Sequence, residues 1–389
     1  MIPAIDALVE PIAPPVAVAT GPLAVEIKSD LDLQPADVTA FNALLASRPC
    51  AGVFAARSWL SGLFHEPPAG VEPALMLLRD GDTLRGAAPI AVQRTRNHVR
   101  VGLLGGGVVS DRVDLVAARG FETACADAFM SWVADTFGRR GYTMAFRDVP
   151  AESALWGALQ RANADRPGML AFQPREIYAL PYLDLAEARG YAPKSHSKHL
   201  RWLEKRGRLR IELLQDPSEA LTALGTLTNF LHARWLDHAD GSALDRPYAD
   251  RFHRHVIPLL LREKRLRMIR MSIDMRTVAV FYGLALGRWW GYYQAGYDRE
   301  WAGRIHLGQI NLANAIEMAA RDGATEFDFL KGVERVKYLW PVRERSAIDA
   351  DVYSANWTAQ LWRAAHAARD AAAGLVRSAR DVWPGIGGR

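Results

Sequence analysis

The chain has only two cysteines, Cys50 and Cys125, among 389 residues. That scarcity excludes a disulfide framework and a thiolate metal site. Basic residues are absent from its start: the first is Lys28, and no apolar signal-peptide core follows it, so no secretory leader is expected. No uninterrupted apolar run approaches the roughly 18 residues that a membrane-spanning helix needs. These absences point to a cytoplasmic protein. There is no P-loop Gly-Lys-Ser/Thr, and Gly105-Gly106-Gly107 has neither dinucleotide-binding spacing nor a closely following helix. His196 with His199, and His253 with His255, lack a third ligand at helpful spacing, so no metal is expected.

What is present is a globular composition, half hydrophobic and 23% charged. The length suffices for two domains with separate cores. A net charge of +5 fits an anionic partner such as nucleotide phosphates, an acidic sugar, a membrane surface or RNA; it also fits a merely basic surface.

Proline-rich residues 1–25 read as a flexible leader. Helices follow, one from Pro35 through Leu45 and another around Trp59. Strands are expected at 74–79, 84–93 and 99–104, with Asp80-Gly81-Asp82 closing the first two as a hairpin. After the glycine loop come a helix over 122–139 and a strand at 143–147. The same order recurs later: strands at 265–272, 277–286 and 288–294, a helix over 308–321, and a strand at 326–330. Two copies of one element order indicate a duplicated α/β unit. Helices near 194–206, 218–235 and 248–261 lie between the copies. A C-terminal helix over 358–383 has apolar residues three and four apart, suited to packing on the body, pairing with another helix, or peripheral contact with the inner membrane.

The most informative stretch is Arg288–Trp340. It reads as an aromatic strand (Trp289-Trp290-Gly291-Tyr292-Tyr293), a loop ending Arg304-Ile305-His306-Leu307-Gly308-Gln309, a helix, and Phe327-Asp328-Phe329-Leu330-Lys331-Gly332 followed by Glu334, Lys337 and Trp340. A strand, a loop opening on a helix start and a second strand ending in charges make a phosphate cradle beside a cleft. Free N–H groups and the helix dipole attract anions there, and Arg304 would clamp a phosphate bidentately.

With Gly296-Tyr297-Asp298, Leu231-His232-Ala233-Arg234-Trp235, His199-Leu200-Arg201 and the Gly105-Gly106 loop with Ser110-Asp111, these segments carry a resemblance over residues 30–345. The element order resembles the GNAT acyltransferase fold, and the tandem copy resembles the Fem-type (FemABX) branch. More closely, the chain is similar to the CelD/BcsL-like family of cellulose and other exopolysaccharide biosynthesis. The resemblance implies an α/β tandem GNAT-like fold with two mixed sheets flanked by helices. Residues 26–180 would form a scaffold domain, 181–350 the domain with the active cleft, and 351–389 an amphipathic helix and tail.

It also implies acyl-CoA as co-substrate, with Arg304, Leu307, Gly308 and Gln309 holding it, and a sugar or polysaccharide precursor as acceptor. Fem-type relatives accept aminoacyl-tRNA instead, and a non-catalytic partner in polysaccharide assembly is the third reading. DNA is not expected as a partner. Relatives show Ser-Pro-Gly where this chain has His306-Leu307-Gly308, and the second glycine of the single-domain GNAT loop is missing.

Direct acyl transfer needs no covalent nucleophile, only orientation and proton movement. Asp328 would orient or deprotonate the acceptor, or pair with Lys331 or Lys337. His306 has a pKa range suited to a base but is also an ordinary loop histidine. Tyr293 would protonate the leaving thiolate, or serve as core. Lys194, Lys198, Arg201 and Lys205 share one helix face, either solvated or holding a glycan, a tRNA backbone or a lipid head group. Arg234 and Trp235 would read a sugar ring by stacking, with Trp235 in a domain seam as the other reading. Asp298, Lys331, Lys337, Lys198 and Arg201 complete the acceptor-binding candidates.

Overall fold

The computed structural model describes residues 21–165, 170–191, 196–205, 207, 209–235, 244, 247–301, 305–332 and 334–382. The first half begins with β1 (Ala24–Lys28), α1 (Pro35–Ser47), α2 (Pro49–Ala55) and α3 (Arg57–His65). Then follow β2 (Val71–Asp80), β3 (Thr83–Arg94), β4 (Val99–Leu103), β5 (Val116–Ala117), α4 (Glu122–Phe137), β6 (Tyr142–Pro150), α5 (Ala154–Asp165) and β7 (Leu170–Asp184). Next come α6 (His196–Glu204), β8 (Leu209–Leu213), α7 (Pro217–Trp235) and α8 (Pro247–Arg262). The second half has β9 (Leu266–Ile273), β10 (Arg276–Leu286), β11 (Trp289–Tyr297), α9 (Leu307–Arg321), β12 (Glu326–Asp328), β13 (Arg343–Ser354) and α10 (Trp357–Val382).

Local chemistry accounts for the repeated unit. Gly81 takes φ +57 at the β2–β3 turn, a conformation a glycine adopts without a Cβ clash. Cys125, Phe129, Val133 and Phe137 recur every four residues along α4 and are buried, against Tyr142, Met144 and Phe146 of β6. In each half the third strand of the unit pairs in parallel with the strand after the long helix, β4 with β6 and β11 with β12. All other ladders between the described strands are antiparallel.

The halves share one 13-stranded sheet in the order β1-β2-β3-β4-β6-β13-β7-β12-β11-β10-β9-β8, with β5 beside β3. The expected pair of sheets is therefore corrected to a single one. The last strand, β13, inserts between β6 and β7, while β7 pairs with β12 of the second half. Boundaries at 180/181 and 350/351 each cut one of these exchanged strands, and the leader boundary at 25 cuts β1. Local sequence does not encode such pairing, because the partners lie far away in the chain.

A common core also joins the halves. Phe41 of α1 and Trp59 of α3, Leu75 and Leu77 of β2, and Met268, Tyr282 and Leu284 of β9 and β10 belong to one buried cluster. Burial of such side chains contributes roughly 1.5–3 kcal/mol each. The first turns of α10 pack on the body, where Trp362 stacks on His98 and His366 Nδ1 lies 2.7 Å from Tyr353 Oη. No helix among the described residues is long and apolar enough to cross a membrane.

Candidate active site

A cleft of about 550 Å³ opens where β11 and β12 part company above the start of α9, within the range of small-molecule sites. The strands pair only from Trp289↔Glu326 to Gly291↔Asp328. Beyond that point a bulge bends β11: on β10, Tyr282 faces Gln294 and Gly283 faces Tyr292, so Tyr293 is an extra residue. The bulge also changes which residues point where. Tyr292 lines the cleft before it, and Ala295 and Tyr297 line it afterwards. Tyr293 turns to the other face, into the core shared by the halves.

The floor is the first turn of α9, with His306 as N-cap and Leu307, Gly308 and Gln309 on the wall. That turn carries no acidic residue, so its dipole stays open to an anion. Gly308 has a steric role: a Cβ there would stand 3.2 Å from Tyr297 Cε1. Arg234 at the end of α7 and Arg335 in the loop between β12 and β13 add positive charge to the walls.

Among the described residues Glu334 is the one carboxylate on those walls. Its Oε2 lies 2.8 Å from Lys337 Nζ, in a pair where the lysine side chain is 1% exposed and the glutamate 49%. The same ammonium donates to the carbonyls of Lys331 (2.8 Å) and Gly332 (3.2 Å), which fixes the loop. Gly332 sits at φ +117, and a Cβ on it would come within 2.6 Å of Glu334 Oε2. The Lys331-Gly332…Glu334…Lys337 spacing thus builds a clamp that presents one carboxylate to the cleft.

Several sequence-derived assignments need correction. Asp328 is fully buried and bound by Arg112 Nη1 at 3.0 Å and Arg345 Nη2 at 2.8 Å; it braces the halves and is not among the described cleft walls. Tyr293 Oη donates to the Val109 carbonyl at 2.8 Å, and burial raises its pKa well above the ordinary tyrosine value. Asp298 caps a turn by accepting the Glu300 N–H and pairs with Arg276 at 2.6 Å. Lys331 turns to the seam, 3.1 Å from Asp148 Oδ1 and over the Tyr178 ring. Lys337 is buried and positions the loop; it is not on the cleft wall. Arg201 is exposed on α6, away from the cleft walls. Arg304, Lys194 and the side chains of Trp235 and Lys198 lie outside the described residues.

Among the predicted residues, Arg234, His306, Leu307, Gly308 and Gln309 come together on one cleft. Tyr292, Tyr297, Glu334 and Arg335 are additional walls. Glu334 stood in the motif as a quoted letter, and the glycine two residues before it was the signal of a close approach. Among the described residues no His, Cys, Asp and Glu group could hold a metal ion.

The first half lacks an equivalent cradle. Its α4 has Glu122 in the first turn, whose Oε2 accepts the Gly120 N–H at 2.7 Å. The Gly107 N–H is taken by Asp148 Oδ2 at 2.6 Å. Carboxylates of the chain itself occupy these donors.

Residues 193–338 match the family described as Acetyltransferase (GNAT) domain. That segment contains every described cleft wall except Leu339. Among solved structures the chain is similar to a conserved protein of unknown function from Bacteroides thetaiotaomicron VPI-5482, with 12% identity, 85% of this chain and 99% of that chain covered, and a TM-score of 0.51. It is also similar to FemX, with 10% identity, 85% and 97% covered, and a TM-score of 0.56. No curated protein matches the sequence. The structural likenesses show the fold, and the match of residues 193–338 to an acetyltransferase (GNAT) domain supports an acyltransferase enzyme.

Proposed function

We propose that the second-half cleft takes an acyl-CoA donor and transfers its acyl group directly to an amino or hydroxyl group of a sugar or polysaccharide precursor. The observation that carries this reading is the placement of the cleft: it lies at the parting of β11 and β12, over an acid-free helix start, inside the matched acetyltransferase segment. The α9 first turn, Arg234 and Arg335 receive the donor's phosphates, and Tyr292, Leu312 and Leu339 offer the apolar wall for its arm. Support for the sugar acceptor is the sequence resemblance to the exopolysaccharide family. The first half then acts as scaffold, its helix start being self-capped.

In this scheme the acceptor atom attacks the thioester carbonyl, the new C–N or C–O bond forms, and the C–S bond breaks. Glu334 takes the acceptor's proton and the departing sulfur gains one from solvent. Positioned proton transfer of this kind contributes about 10²–10⁴-fold.

Calorimetric titration of acetyl-CoA into wild type, Arg335→Ala and Glu334→Gln tests the scheme. Wild type is expected to bind, and Arg335→Ala to bind about five-fold more weakly, through loss of one charge-assisted contact. Glu334→Gln should keep donor affinity while losing turnover. No heat at millimolar acetyl-CoA would sink the donor assignment. Thermal protection by aminoacyl-tRNA in its place would move the protein to the tRNA-dependent reading.

A further inference from the structure

Helix α10 is fixed to the body at its start and turns an apolar side away from it. Asn356 Oδ1 accepts the Thr358 N–H at 3.0 Å. Thr358 Oγ1 donates to the Arg140 carbonyl at 2.9 Å, and Gln360 Nε2 to the Ser354 carbonyl at 2.7 Å. Gly141 permits this approach, since a Cβ there would come within 2.3 Å of Thr358 Oγ1. Ala359 is buried against the body, and Trp362 and His366 reach His98 and Tyr353 from the same side. From Leu361 to Arg369 every residue except His366 is exposed.

The side facing away is apolar. Trp357 is 69% and Leu361 60% exposed, and Ala364, Ala365 and Ala368 are exposed with them. On a helix of 3.6 residues per turn these five positions share one arc of about 100°, roughly opposite Ala359 and His366. The same spacing of three and four continues in the sequence at Ala372, Leu375, Ala379 and Val382. A tryptophan and a leucine held in water on one helix face mark an interaction surface.

The charge around that face selects its partner. Arg139 and Arg140 offer the carbonyls that hold Asn356 and Thr358, Arg96 stands two residues before His98, and Arg363 and Arg369 are on α10 itself. All five are exposed, and none is in an ion pair with a described side chain. Within 357–382 four arginines stand against two aspartates, Asp370 and Asp381. A second copy of the chain would bring the same arginines against its own. Single-stranded RNA would use the arginines and the tryptophan, and leave Leu361 and the alanines without a role. An acidic phospholipid surface uses both sets, apolar residues at the acyl boundary, tryptophan at head-group level and arginines on the phosphates. We infer that the exposed side of α10 and the arginines at its root dock on an acidic phospholipid bilayer, with the helix lying in the plane of the surface.

The test uses the full chain. Flotation with phosphatidylcholine vesicles, with and without phosphatidylglycerol, is measured for wild type, Trp357→Ser/Leu361→Ser and Arg139→Gln/Arg140→Gln. Wild type is expected to float with the acidic vesicles, to stay behind with the neutral ones, and to be released at about 1 M salt, where screening acts within about 3 Å. Affinity for the acidic vesicles should fall at least ten-fold in Trp357→Ser/Leu361→Ser, because two large apolar side chains no longer leave water. It should fall about 25-fold in Arg139→Gln/Arg140→Gln, at about five-fold for each arginine near an acidic leaflet. All four side chains are exposed, so both variants should melt as wild type does. Wild type that ignores acidic vesicles at low salt overturns the inference, as does binding that survives Trp357→Ser/Leu361→Ser. A concentration-dependent dimer in sedimentation velocity, lost in that variant and without vesicle binding, would give the face to a second copy instead. Retention of single-stranded RNA in place of vesicles, lost in Arg139→Gln/Arg140→Gln, would overturn it in favour of nucleic acid.

Discussion

Lys337 and Glu334 meet at 2.8 Å across a boundary in solvent exposure, the ammonium buried within the loop and the carboxylate facing the cleft. The lysine has two further acceptors, both main-chain carbonyls of the same loop. A buried ammonium with three acceptors at fixed positions sets the conformation of the loop, and the loop sets the position of Glu334.

Lys337→Met should therefore act through the loop. Two carbonyls lose their donor, which costs about 2 kcal/mol of unfolding free energy. Urea denaturation measures that loss. Hydrogen exchange should quicken around residues 331–336 and remain unchanged in α4. Uniform exchange across the chain would mean that the lysine holds no local structure.

Asp328→Asn is expected to cost stability. Arg112 and Arg345 are held against this one carboxylate, and Arg112 is a residue 216 positions away. Removing one partner of a buried ionic group costs roughly 3–5 kcal/mol, because the remaining charges stay desolvated. Chemical denaturation should show a fall of that size, with turnover per folded molecule changed little. A variant of normal stability and no turnover would return Asp328 to the mechanism.

These two residues illustrate what a reader of the sequence can and cannot obtain. The repeated strands and α4 and α9 were legible, because hairpin turns and helical spacing act over a few residues. So was the loop from His306 to Gln309, as a helix start after a strand. Asp328 looked catalytic because its partner Arg112 is distant in the chain. Tyr293 was open between cleft phenol and core, and the bulge decides for the core, giving the cleft to Tyr292 and Tyr297. The exchanged strands β7 and β13 were missed for the same reason as Arg112: their pairing is non-local.

Acid should weaken the shared core through His253. The ring is fully buried among Trp59, Phe252, Tyr282 and Tyr293, and burial pushes its pKa from 6.5 down to about 3. The unfolded chain therefore binds more protons between those values, and stability falls as pH drops through that window. Between pH 7 and pH 5 the cost is about 2 kcal/mol. Asp111 and Asp114, pushed up to about 7 and about 6 mainly by burial, act in the opposite direction. Comparison with His253→Gln isolates the histidine: its stability relative to wild type should improve by about 2 kcal/mol over that interval. Parallel pH profiles would show that the ring does not titrate on unfolding as its burial requires.

Gly308→Ala probes the cleft floor without changing charge. The added methyl would stand 3.2 Å from Tyr297 Cε1, with the next ring atom at 3.5 Å, so the ring must shift by a few tenths of an ångström. Helix propensity favours alanine by about 1 kcal/mol, which offsets much of the crowding, and the thermal midpoint should change little. The ring lies on the cleft wall, however, and its displacement narrows the space above the α9 start. Acetyl-CoA affinity is expected to fall about ten-fold, the order of effect that a misplaced wall produces when overpacking costs 1–3 kcal/mol. Calorimetry on the folded variant checks this. Wild-type affinity in Gly308→Ala would place the donor elsewhere than against Tyr297.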